Sequence, residues 1–111
     1  MAVIVKTGKP SELLADIYKA IDNDKIATWL SDDDKDLTHE PLQWKNKAWF
    51  RPKVYAGELR FGLLGPKGVT MSKEIYGVYH GRLIEMLLIH FDDQFSNVSG
   101  TAKKFEPDNF E

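Results

Sequence analysis

The segment AWFRPKVYAGELRFGLLGPKG, residues 48–68, constrains the fold more than any other part of the chain. Two runs with a period of two meet at Ala56-Gly57, and the second closes at Gly65-Pro66, which is the pattern of a β-hairpin. In the first run Ala48, Phe50, Pro52 and Val54 share one face, while Trp49, Arg51, Lys53 and Tyr55 share the other. Across the turn Leu59, Phe61 and Leu63 stand opposite Arg60 and Gly62, so one face of the hairpin is apolar and the other is basic and aromatic. Pro52 has no N–H for a ladder, which places the first strand at an edge or gives it a bulge there.

Helical spacing flanks this hairpin. Leu13, Leu14, Ile17 and Ile21 recur at three- and four-residue intervals after Ser11, a candidate N-cap, and before Asn23, a candidate stop. From Ser72, a second candidate N-cap, apolar residues at Ile75, Tyr79, Leu83, Met86, Leu87, Phe91 and Phe95 predict one long helix, ended by Asn97–Gly100. A short strand is expected around Ile26–Leu30, and EPLQWKNKAW as a turn. The expectation is an α+β two-layer sandwich: a helix, an antiparallel sheet of three to four strands with a central hairpin, and a long C-terminal helix. An α-β-β-β-α order is shared with double-stranded RNA-binding domains, but their lysine-rich start to the last helix is reduced here to Lys73. At 111 residues the chain fits one domain, with residues 101–111, TAKKFEPDNFE, expected to be a flexible tail.

The motifs QWKNKAWFRPKV, FGLLGPKG and YHGRLIEMLLIHFDDQFS together resemble a group of small uncharacterised bacterial proteins. That resemblance covers most of the chain and implies no activity, ligand or residue role.

Charge is distributed in three blocks. Five lysines face nine acidic residues from Met1 to Trp44 (net −4), seven basic residues face only Glu58 from Lys45 to Lys73 (net +6), and three face seven in the remainder (net −4). A basic centre between acidic ends implies an anionic partner or charge matching within the chain. Trp49, Arg51, Lys53, Tyr55 and Arg60 are therefore the leading candidates for binding. Interleaved aromatic and basic groups serve as anchors for protein contact, and equally stack bases and neutralise phosphates.

Other constellations are less complete. Asp32, Asp34 and Asp36 have the first spacings of an EF-hand calcium loop, but Leu37 and Gln43 stand where its glycine and its final glutamate belong. A solvated turn explains the same residues. Gly77 and Gly81, four apart within a helix, cost about 1 kcal/mol each relative to alanine and predict close packing, a homodimer strip or a pocket floor. An enzyme would need Tyr76, His80 and Glu85 to converge in one pocket. His39-Glu40 begins like a zinc-protease motif but has Gln43 in place of the second histidine. No phosphate loop or nucleophile elbow is present, and no motif calls for a cofactor.

With no cysteine, the chain has no disulfide and no thiolate chemistry, and cytoplasm is the expected compartment. No stretch has the roughly 20 apolar residues of a membrane span. The function expected is that of a small soluble binding or regulatory module acting through a protein partner or self-association. The alternative is nucleic-acid binding through the basic-aromatic face.

Overall fold

A computed structural model describes Met1–Glu111. Its elements run β1 (Val3–Lys6), α1 (Pro10–Asp22), β2 (Trp29–Ser31), β3 (Leu37–His39), β4 (Trp49–Tyr55), β5 (Glu58–Leu64), α2 (Lys73–Phe91), a single 3-10 turn (Asp92–Gln94) and β6 (Asn97–Gly100). The six strands form one antiparallel sheet in the order β2-β3-β4-β5-β1-β6.

The α+β class is as expected, but the sheet has six strands where three to four were expected. The two additional strands are β1 and β6, which pair with each other from Val3↔Gly100 to Lys6↔Asn97. β1 also pairs with β5, so the N-terminal strand lies inside the sheet and the α-β-β-β-α order does not apply. The last helix stops at Phe91 rather than Phe95.

Local chemistry accounts for the element ends. Pro10 opens α1 at a position where its missing N–H costs nothing. Lys9, not Ser11, is the capping residue, and Asn23 closes the helix. Ser72 caps α2 by accepting a hydrogen bond from the Ile75 amide at 3.1 Å. Between β4 and β5, Gly57 takes φ +74, which the two-residue turn requires and a side chain would strain. Pro52 is tolerated because β3 pairs with β4 only at Leu37↔Phe50 and has ended before Pro52 is reached.

Both helices cover one face of the sheet. Leu13, Ile17 and Ile21 of α1 and Tyr79, Leu83, Met86, Leu87 and Phe91 of α2 meet Val3, Val5, Phe50, Leu59, Phe61 and Leu63 in one core. Each such aliphatic side chain contributes about 1.5–3 kcal/mol on burial. Trp29 and Tyr79, both buried, pack edge-on with ring centroids 5.8 Å apart. The Tyr79 hydroxyl donates to the Trp44 carbonyl and lies 3.1 Å from the Thr38 hydroxyl, which in turn donates to Ala48 O at 3.0 Å. This buried polar chain fixes loop 40–48 to the core, since breaking it would leave buried polar atoms unpaired.

Residues 101–111 run as a strap laid along β5 and over the sheet's other face. Asn109 donates to Leu63 O at 2.8 Å and accepts from the Gly65 amide at 3.1 Å, forming a parallel bridge with Leu64. It occupies the side of β5 that β1 leaves free beyond Phe61. The Asp108 carboxylate, fully buried, accepts from the Leu63 amide at 2.7 Å and the Phe105 amide at 2.8 Å, and lies 3.3 Å from the Met1 amino group. Pro107 crosses Gly62 so closely that a Cβ there would sit 2.5 Å from the Pro107 carbonyl carbon. Only glycine fits beneath the strap at this point.

Candidate contact face

The side chains of the sheet's outer face come from alternate positions of β4 and β5, as strand geometry dictates. Trp49, Arg51, Lys53 and Tyr55 lie on β4 and Arg60 on β5, so the five residues expected to act together do share one face. Trp49 and Tyr55 are half-buried, and Arg51 and Lys53 are exposed.

Each of the three cations meets a carboxylate of the same chain. Arg51 forms a fork with Asp36, Nε to Oδ1 at 2.9 Å and Nη2 to Oδ2 at 2.7 Å. Lys53 Nζ lies 3.5 Å from Glu106 of the strap. Arg60 Nε donates to Glu58 at 2.6 Å, and Lys6 donates to the other oxygen of the same carboxylate, also at 2.6 Å. The hydrogen bonds from Lys6 and Arg60 hold Glu58 below the usual carboxylate range, and the bond to Glu58 raises Arg60. The hydrogen bond to Asp36 likewise raises Arg51.

Aromatic rings complete the face. The Arg60 guanidinium sits 3.9 Å from the Tyr55 ring centroid and 4.8 Å from that of Phe105, between a strand residue and a strap residue. Lys53 Nζ lies 5.3 Å from the Tyr55 ring. The Tyr55 hydroxyl is closed off from solvent and has no hydrogen-bond partner.

The aspartate loop joins β2 to β3 and feeds this face. Asp32 Oδ1 accepts from the Asp34 amide at 3.0 Å and the Asp36 amide at 2.9 Å, a turn in which a side chain replaces a backbone acceptor. Carboxylate oxygens of Asp32, Asp34 and Asp36 lie within 4.8 Å of one another. Asp32 is engaged by the turn and both oxygens of Asp36 by Arg51, so the loop is ordered by its own chain.

The remaining candidates separate. Tyr76, Gly77 and His80 line a cleft of about 240 Å³ beside Gly100 and Thr101. Glu85 lines a different cleft, of about 350 Å³, with His39, Gln43, Trp44 and Arg82. The three residues required for an enzyme therefore do not converge. His80 donates from Nδ1 to the Tyr76 carbonyl at 2.6 Å and has no partner at Nε2. Burial lowers its pKa, as it does that of His39. A Cβ on Gly77 or Gly81 would meet nothing within 4 Å, so neither glycine serves close packing on the chain's own sheet. Gly77 borders the His80 cleft, and Gly81 faces open space.

Sequence reasoning missed Phe105, Glu106 and Glu58 as parts of the face, and His39 as a buried residue. Gly62, a lone glycine inside a strand pattern, was the available signal that another backbone approaches there. For His39, alternation with buried Leu37 was the available sign.

No known protein family matches this chain, and neither a curated protein nor a solved structure matches it. No helix is long and apolar enough to cross a membrane.

Proposed function

We propose that the chain is a small binding module that acts by protein contact, with the outer face of the β4–β5 hairpin as its contact surface. Trp49, Arg51, Lys53, Tyr55 and Arg60 are the residues assigned to it. The observation that carries this reading is the pairing of Arg51, Lys53 and Arg60 with Asp36, Glu106 and Glu58. Phosphate binding draws its strength from cations that are free to displace counterions. Cations already neutralised by their own chain give little of that. Half-buried aromatics and arginines amid paired charges suit a protein interface, where aromatic and arginine anchors supply most of the affinity.

Nucleic-acid binding is the second reading, favoured by Lys45, Lys47 and Lys67, which are exposed and outside every ion pair of the chain. Affinity capture from an extract of cells that make the protein, run beside a Trp49→Ala/Tyr55→Ala chain, separates the two. Light scattering over a concentration series at low and high salt adds self-association to the same comparison. A partner protein, or a second copy, held by the unaltered chain and lost from the variant is the expected result. A chain that stays monomeric, holds no protein through these aromatics and binds mixed single-stranded oligonucleotides at low salt overturns the protein-contact reading.

A further inference from the structure

The outer face is already occupied by part of the chain itself, and the occupant has a definite chemistry. Phe105 covers Arg60 with its ring 4.8 Å from the guanidinium, and the next residue, Glu106, places its carboxylate 3.5 Å from Lys53 Nζ. The Glu106 carbonyl accepts from Arg60 Nη1 at 3.2 Å. An aromatic ring followed by a carboxylate thus fills an aromatic-cation pocket made of Tyr55, Arg60 and Lys53.

The two ends of the strap are held unequally. Asp108 and Asn109 are anchored by five backbone-directed hydrogen bonds, three to Leu63 of β5 and Gly65 just past its end and two to Phe105, and Pro107 is wedged on Gly62. Ala102 to Glu106 are exposed throughout, and Phe105 keeps 41% of its surface in water. Their backbone is tied at Lys103 to Thr101 and Met1 and at Phe105 to Asp108. The contacts of these residues with the face are one cation–π pair, one exposed ion pair and one hydrogen bond, each weak at solvent-exposed positions. Below them the Tyr55 hydroxyl is left without a partner.

We infer that Phe105-Glu106 is a self-supplied stand-in for the partner, and that the partner presents a peptide segment with an aromatic residue followed by a carboxylate, which displaces Phe105-Glu106 from Tyr55, Arg60 and Lys53. This rests on the protein-contact reading above and specifies its partner chemistry. A covalently tethered competitor acts at an effective concentration in the millimolar range, so the free face binds far more tightly than the covered one. Nucleic acid fits less well: the seated carboxylate is a single charge beside a stacked ring, with Arg51 and Arg60 committed to Asp36 and Glu58.

The probe is a capped tetrapeptide copying Lys103–Glu106, titrated into the ¹⁵N-labelled full chain and into a Phe105→Ala/Glu106→Ala chain, with amide shifts followed. Both altered residues are exposed, and unchanged inner-face amides verify the fold of the variant. Expected are shifts at Lys53, Tyr55 and Arg60, with half-saturation at least about tenfold lower for the variant than for the unaltered chain. The shifts should disappear when the peptide carries Ala for Phe, and when Arg60→Ala is added to the variant. Equal saturation of the two chains, shifts confined to other surfaces, or tighter binding of a twelve-nucleotide deoxythymidine strand than of the peptide would each overturn the inference. If these fail while Trp49- and Tyr55-dependent capture or self-association persists, the protein-contact reading stands and only the acidic-aromatic partner is lost.

Discussion

The two faces of the β4–β5 hairpin come from alternate residues of one continuous stretch, yet different forces hold them. On the inner face Phe50, Leu59, Phe61 and Leu63 are fully buried against two helices, and the stabilisation is apolar area removed from water. On the outer face Arg51, Lys53 and Arg60 are held by carboxylates, and Tyr55 and Phe105 by a guanidinium between them. The four inner-face side chains form one continuous dry patch, with Val54 exposed only at the turn end, so its parts cannot be released one at a time. Contacts on the outer face are discrete, partly wet and individually weak, so they can be released one at a time.

Substitutions test that division of labour, starting with the inner face. Leu83→Ala on α2 removes a fully buried side chain and should lower stability by about 2–5 kcal/mol, read from the urea midpoint. It should leave the amide shifts of Lys53 and Arg60 in place while the chain is folded. A smaller loss would mean that the core collapses around the gap.

Arg51→Ala leaves the buried Asp36 carboxylate without its fork and should cost about 1.5–3 kcal/mol. Loss of protection from hydrogen exchange should concentrate in the Asp32–Asp36 loop. An unchanged loop would show that the Asp32 turn alone suffices to hold it. Gly62→Ala should cost about 1–3 kcal/mol by forcing Pro107 away. Its signature is faster hydrogen exchange at Asn109 and Gly65, whose amides bond across strap and β5; intact protection there would contradict the wedge.

Acid should act mainly through the helix side of the sheet. His39 and His80 have pKa values lowered by burial, below their ordinary value of 6.5, so the unfolded chain takes up protons that the folded chain refuses. Stability is therefore expected to fall as pH drops through about 6.5, and to level off below the folded-state values. Glu58, whose pKa is depressed, adds a further loss only in the carboxylate range. A thermal midpoint that is flat from pH 7.5 to 5.5 would contradict the histidine contribution. Smallest of all, Lys53→Ala removes one exposed ion pair and should change stability by about 0.2–1 kcal/mol, less at high salt.

Much of this arrangement is legible in the residues alone. The hairpin, its two chemically different faces, the spacing of both helices and the Ser72 cap follow from periodicity and turn chemistry, because each is decided within a few residues. β1 and β6 do not, since four-residue strands such as NVSG carry almost no pattern and owe their structure to partners more than ninety positions away. The strap was hidden for a related reason. It is fixed by backbone hydrogen bonds, one buried aspartate and a glycine notch, none of which alters a polar composition that reads as tail. That Trp49, Arg51, Lys53, Tyr55 and Arg60 share one side of the sheet follows from strand alternation, whereas Phe105 and Glu106, which lie over it, carry no such pattern.

The pairing of Val3–Lys6 with Asn97–Gly100 has a consequence for how the molecule comes into being. β1 is made before every other strand of the sheet, but one of its two neighbours, β6, is made after all of them. Until then β1 is an open edge of the sheet, and closing it demands a loop that runs from Lys6 to Asn97. Contacts so distant in sequence slow the search for the native state. The sheet is thus closed only once Asn97–Gly100 has been made, and a nascent fragment lacking β6 exposes the unpaired edge of β1 to any other strand within reach.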